Sequence, residues 1–169
     1  ANRLIDSSSI KLRIYAAGND WLDNDVKRFR DAGIYRGFIP FEKLKAELDV
    51  ADAYLTVMSF EPEEKPFVQT SFTTKWLDYA PCAKPVFVWA PLYSSAATFA
   101  LEHKCGVVID VDDDKQVVNA VKATMSNSDA VCQVSEASTV VANGCLSAGA
   151  IHRRLKEKLE SIVPGKLAI

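Results

Sequence analysis

Ser71-Phe-Thr-Thr-Lys75-Trp-Leu-Asp78-Tyr-Ala80-Pro-Cys-Ala-Lys84-Pro-Val-Phe-Val-Trp89 is the stretch whose reading decides this chain. It reads as a short helix, a tight turn and a buried strand. At ~100° per residue, Phe72, Trp76, Tyr79 and Ala80 share one side of the helix. Ser71, Thr74, Lys75 and Asp78 fall at i, i+3, i+4 and i+7 on another. The first set needs a core. The second is two hydroxyls, an ammonium and a carboxylate. Ser71 suits an N-cap, which would begin the polar row at the positive end of the helix. Such an end seats a phosphate, and a carboxylate one turn on can accept hydrogen bonds from a sugar diol. The expectation is a sugar-nucleotide site. A Lys75–Asp78 ion pair on a solvated face is the plainer use of the same residues.

Outward from this stretch, apolar runs alternate with helical patterns. Strands are expected near 11–17, 34–39, 53–59, 85–89 and 106–111. Between them, Val26, Phe29 and Arg30 mark a helix over about 23–31 that ends at Gly33. Pro40 opens a helix over 41–49 with Leu44 and Leu48 inside. Residues 60–70, with two prolines and three glutamates, read as a long loop. Ser94 or Ser95 caps a helix through Glu102. Asp112–Asp114 start a helix carrying Val117, Val118 and Val121, and are read as that rather than as a metal site. Residues 130–150 fit one helix broken near Gly144, or two. Ile151, Leu155, Leu159 and Ile162 are in register on a final helix over 151–163.

Five short strands separated by helices predict an α/β fold: a Rossmann-like parallel sheet of about five strands, helices on both faces, and added C-terminal helices. Residues 1–10 are expected to be disordered or appended, 11–126 to form the ligand-binding domain, and 127–169 to pack on it as a helical segment. In such folds ligands sit beyond the carboxyl ends of the strands. That places Gly18, Phe38 to Pro40, the 60–70 segment and Ser71 on one rim. Glu61, Glu63 and Glu64 read chiefly as solvated loop residues.

Composition narrows the partners. The chain has 169 residues, 49% hydrophobic and 25% charged, with a net charge of −2, so one well-filled domain is expected and nucleic acid is not. No apolar run reaches the ~20 residues that span a bilayer, and the expected location is cytoplasmic. The Arg153–Lys158 cluster fits a solvated helix face and is compatible with a peripheral membrane contact. Cys82, Cys105, Cys132 and Cys145 lack metal-ligand spacing and read as reduced thiols. His103 and His152 have no acid or nucleophile nearby in the pattern.

The central stretch resembles a motif of glycosyltransferases with the two-domain GT-B fold, Ser-Phe-x-Thr-Lys-x-x-(Asp/Glu)-Tyr-x-x-x-x-Lys-Pro-Val. The motif belongs to their donor-binding, C-terminal half. Pro81 and Ala83 depart from it, where the family more often has a small residue and a glycine. The likeness extends in order over about 11–125: Tyr15 to Gly18; Gly37-Phe-Ile-Pro40; Leu44 and Leu48; Ala51-Asp-Ala53; and Gly106-Val-Val-Ile109. It implies a nucleotide-diphospho-sugar as ligand, bound by Gly18, Phe38, Ile39, Ser71, Thr74, Lys75 and Asp78. Phe38 and Ile39 would line the base, Ser71 to Lys75 the diphosphate, and Asp78 the ribose. It implies no metal and no cofactor, and transfer of the sugar to an acceptor hydroxyl once an acceptor-binding half closes the cleft. That N-terminal half is expected as the missing partner. The family's opening strand with its glycine-rich turn has no counterpart here. Its paired acids are incomplete too, with Thr70 standing eight residues before Asp78. These gaps keep open a second expectation, a stand-alone GT-B-like binding or interaction domain without the chemistry.

Overall fold

A computed structural model describes residues 10–16 and 23–162. Gly18, Asn19 and Asp20 lie outside them, as do residues 1–9 and 163–169. The described strands are β1 (Ile14–Tyr15), β2 (Tyr35–Gly37), β3 (Tyr54–Val57), β4 (Val86–Trp89) and β5 (Val107–Ile109). The helices are α1 (Asp23–Asp31), α2 (Phe41–Asp49), α3 (Lys65–Thr70), α4 (Lys75–Tyr79), α5 (Ser95–His103), α6 (Asp114–Met125), α7 (Ser128–Asn143) and α8 (Ala148–Ile162).

The architecture is α/β with parallel strands, but the strands do not form one five-stranded sheet. β1 and β2 make a two-stranded parallel sheet, and β3, β4 and β5 make a three-stranded one in that order. The reason is local. β1 has only two residues in its ladder and its register shifts between Ile14 and Tyr15, which leaves too little regular edge to pair with β3. Side chains connect the two sheets instead. Tyr15 donates a hydrogen bond to Glu47 of α2, and Arg13 lies 3.6 Å from the same carboxylate. Tyr54 of β3 donates to the Leu48 carbonyl at the end of α2, at 2.9 Å.

The three-stranded sheet carries the core on both faces, as the period-2 alternation of its strands requires. Val86 and Val88 face Trp76, Ala80, the α5 alanines Ala96, Ala97 and Ala100, and Val141 of α7. Phe87 and Ile109 face Val117 of α6, with Leu55, Ile10 and Leu12 alongside. Small residues on α5 let it lie close to β4. Gly106 does the same for α4: a methyl group there would stand 3.1 Å from the Trp76 ring, 3.2 Å from the Ala100 methyl and 3.0 Å from the Val86 carbonyl.

Side chains end and join the helices. Ser94 caps α5 by accepting from the Ala97 N–H at 3.1 Å, and Asn127 caps α7 by accepting from Asp129 and Ala130. Asp113, within the expected acidic start, caps α6 by accepting from the Lys115 N–H at 2.9 Å. The 130–150 region resolves as two helices that part at Gly144. α7 is anchored by buried Ser138 and Val141, and the Ser138 hydroxyl donates to the Cys105 carbonyl at 2.9 Å. Among the described residues of the C-terminal segment, α7 and the Cys145–Leu146 link that follows it pack on the core. Every α8 residue from Ile151 to Ile162 is exposed. Among the described residues, no helix is long and apolar enough to cross a membrane.

Candidate functional site

Residues 60–70 are not a loop. Residues 62–64 make one turn of tight helix, and α3 follows directly with Pro66 in its first turn. A proline there loses no intrahelical hydrogen bond, and Val68, 1% exposed, pins the helix to the body. Glu61, Glu63 and Glu64 are exposed on its approach.

This helix moves the start of the next one. Ser71 ends α3, its N–H donating to the Phe67 carbonyl at 2.8 Å, and is not the N-cap of α4. Thr74 takes the N-cap position, without a side-chain cap hydrogen bond, and α4 begins at Lys75. α4 is therefore five residues long, and the polar row is not continuous along one helix. Ser71 and Thr74 sit in the turn between α3 and α4; Lys75 and Asp78 sit on α4 itself.

The turn is held in place from the neighbouring helix. Ser95, the first residue of α5, donates its hydroxyl hydrogen to the Ser71 carbonyl at 2.7 Å. Phe72 meets the Phe99 ring edge-on at 5.0 Å, and Trp76 meets the same ring at 5.2 Å. The Lys65 ammonium lies 4.9 Å from the Tyr93 ring centre, joining α3 to the segment after β4. Because β3, β4 and β5 are parallel, the segments after them emerge on one rim. The Ser71–Lys75 turn and the start of α5 share that rim. Thr74, Lys75 and Asp78 are exposed there and on the flank of α4, and no ion pair joins Lys75 to Asp78.

The inward side of α4 behaves as its spacing predicts. Trp76 and Ala80 are buried, and Tyr79 is half-buried and stacked on Tyr54 with ring centres 4.6 Å apart. Burial, and then the negative charge of Asp78, push the Tyr79 hydroxyl above its ordinary pKa. Phe72 is the exception, 38% exposed at the edge of the cluster. Trp89 is only partly buried, and its indole N–H donates to the Val111 carbonyl at 2.8 Å.

Phe38 and Ile39 follow β2 in the smaller sheet. Phe38 is 70% exposed, and Ile39 is partly buried. No hydrogen bond or ring contact among the described residues joins either to the Ser71–Asp78 group. Gly18 lies outside the described residues.

Two features were not read from the sequence. The first is Lys84, quoted above only as part of the Lys-Pro-Val motif. Its ammonium donates to the carbonyls of Asp49 and Ala51, with a longer contact of 3.4 Å to that of Leu48. It thus satisfies the open end of α2. Next to it, Ala83 holds a left-handed backbone with φ of 53°. The turn keeps a conformation that glycine favours. The second feature is an open cavity of about 620 Å³ along the outer side of β5 and the face of α6. Asp110, Asp113, Gln116 and Asn119 supply its polar groups. Gln116, Asn119, Ala120 and Ala123 are spaced i, i+3, i+4 and i+7, a polar and small stripe that could have been found in the sequence. None of the six predicted site residues that fall among the described ones lines this cavity.

All four cysteines are free. Burial pushes the Cys105 thiol up to about 12, which leaves it un-ionised and chemically quiet. The described residues contain no cluster of three or more His, Cys, Asp or Glu placed to hold a metal ion. No family model matches this chain, and no curated protein matches it in sequence.

Proposed function

We propose that this chain is the donor-binding, Rossmann-like half of a GT-B-type glycosyltransferase, taking a nucleotide-diphospho-sugar and working with an acceptor-binding half. The observation that carries the reading is the seating of the Ser71–Lys75 turn. The Ser95–Ser71 hydrogen bond holds that turn beside the start of α5 on the carboxyl rim, with Thr74 and Lys75 exposed. The ordered series of motifs over 11–125 adds to it. In this reading Lys75 and the free N–H groups of the turn meet the diphosphate, and Asp78 accepts from the ribose diol. Phe38 and Ile39 approach the base. Transfer replaces the bond from the sugar to the diphosphate with one from the sugar to the acceptor oxygen; the diphosphate leaves, and the acceptor's hydroxyl proton passes to the departing diphosphate or to a base of the acceptor-binding half. The Lys75 charge stabilises the departing diphosphate electrostatically.

The test is a titration of UDP, GDP and a sugar nucleotide, followed by backbone amide shifts. Shifts centred on 71–75, weakened in Lys75→Ala and Asp78→Ala, are the expected result. Silence up to millimolar ligand, or unchanged affinity in both variants, removes the assignment.

A second reading has its own observation. β5 is one of the two outer strands of its sheet among the described residues, and the cavity beside it is open, with Asp110, Asp113, Gln116 and Asn119 in its lining. That groove suits a stand-alone binding or interaction domain that receives a partner segment along the free strand edge. Amide shifts confined to 108–123 on adding a binding partner, with none at 71–75 on adding nucleotide, would favour it.

A further inference from the structure

α8 is a fifteen-residue helix with no buried residue. At ~100° per residue, Ile151, Ile162, Leu155 and Leu159 fall within an arc of about 80°. They are 45%, 64%, 57% and 39% exposed. The stripe is continuous, and among the described residues none buries it. Its surroundings are sorted by charge. Lys158 and Arg154 lie within about 60° of one edge of the stripe, and His152 and Lys156 within about 60° of the other. Both acids of the helix, Glu157 and Glu160, lie on the far side with Arg153. Glu160 is 3.8 Å from Lys156, which draws that acid to its neighbour's outer flank.

A helix that docks on another protein has no need to keep its acids away from the apolar edge. A helix lying in the headgroup layer of an anionic bilayer does. Its aliphatic stripe enters the acyl boundary, and long basic side chains beside the stripe reach up to the phosphates while their carbon stems stay in the apolar layer. Acids must then face water. We infer that α8 is an interfacial membrane helix whose occupant is an anionic lipid surface, bound by Ile151, Leu155, Leu159 and Ile162 and flanked by Arg154, Lys156 and Lys158. Fifteen residues make a rod of roughly 22 Å, suited to lying in the interface plane. The inference does not depend on the donor-site reading.

The test uses the whole 169-residue chain with sedimented vesicles of phosphatidylcholine alone, or with about one third phosphatidylglycerol. Binding to the anionic vesicles and little binding to the neutral ones is expected. Leu155→Glu with Leu159→Glu should weaken it more than tenfold. Arg154→Glu with Lys158→Glu should also weaken it more than tenfold, at about fivefold for each basic residue lost near the surface. Arg153→Glu, on the far side, should stay within about threefold of the parent. None of these positions is buried, so unchanged melting temperatures will show that the variants remain folded. Failure to sediment with anionic vesicles overturns the inference, and so does an Arg153→Glu loss equal to that of Arg154→Glu with Lys158→Glu. A dimer in sedimentation velocity that Leu155→Glu with Leu159→Glu abolishes, with no vesicle binding, assigns the stripe to a second copy and overturns it too.

Discussion

α7 and α8 are consecutive helices of sixteen and fifteen residues, yet they relate to the body in opposite ways. α7 has a mixed, small-residue sequence whose periodicity is hard to read, and it is anchored by Ser138, Val141 and its Asn127 cap. α8 has a clear apolar stripe and buries none of it. Amphipathicity shows that a helix has a side to cover. It does not show that the cover belongs to the same body. Residues with little hydrophobic signal, such as Ser138, can carry the attachment when a single well-placed hydrogen bond meets a carbonyl inside the core.

The sharpest way to break this contrast is at the cluster that α7 completes. Trp76→Ala should cost about 3–5 kcal/mol, because it empties the largest fully buried side chain on that face. A denaturant midpoint close to the parent's would show that the cluster is not cohesive.

Alkaline pH is the next lever. The Cys105 thiol sits at about 12 against an ordinary 9.0 because of burial. The folded chain keeps a proton that the unfolded chain releases. This contribution is therefore intact below pH 9 and lost as pH rises towards 12, by at most about 1.4 kcal/mol per pH unit. Burial also raises the Tyr54 hydroxyl above its ordinary 10.0, which adds to the loss above pH 10. Melts at pH 8 and 10.5 should show a shallower alkaline decline in Cys105→Ala than in the parent, and identical declines would refute the assignment.

Ser138→Ala should cost about 1–3 kcal/mol, since it strands the buried Cys105 carbonyl. Ala83→Gly should stabilise by about 1 kcal/mol by relieving a left-handed backbone; a lower Tm would mean that the Ala83 methyl makes contacts worth more than the strain. Smallest of all, Leu155→Ala on α8 should stay within about 0.5 kcal/mol. If it matched Ser138→Ala instead, α8 would be attached after all.

Much of the fold was legible because strands such as Tyr54–Val57 and Val86–Trp89 are apolar runs between clear breaks. The division into two sheets was not, because it turns on how few residues of β1 keep a regular ladder, and composition does not report that. At the candidate site, the inward face of Trp76 and Ala80 was readable from spacing. The boundary at Lys75 was not. A proline among polar residues reads as a loop breaker, whereas Pro66 in a first turn starts a helix, and that displaces the cap from Ser71 to Thr74. The role of Lys84 was hidden for another reason: its partners are backbone carbonyls more than thirty residues earlier, and carbonyls leave no mark in a sequence.

That same lysine bears on how the surface of this chain can be mapped. An amine already engaged with the carbonyls of Asp49 and Ala51 is a poor nucleophile towards acylating reagents, whereas the Lys75 amine stands in water. Labelled under mild conditions, the two lysines form a built-in slow and fast pair. The modification rate at Lys75 relative to Lys84 then reports occupancy at the rim within a single sample, with the slow partner correcting for reagent decay.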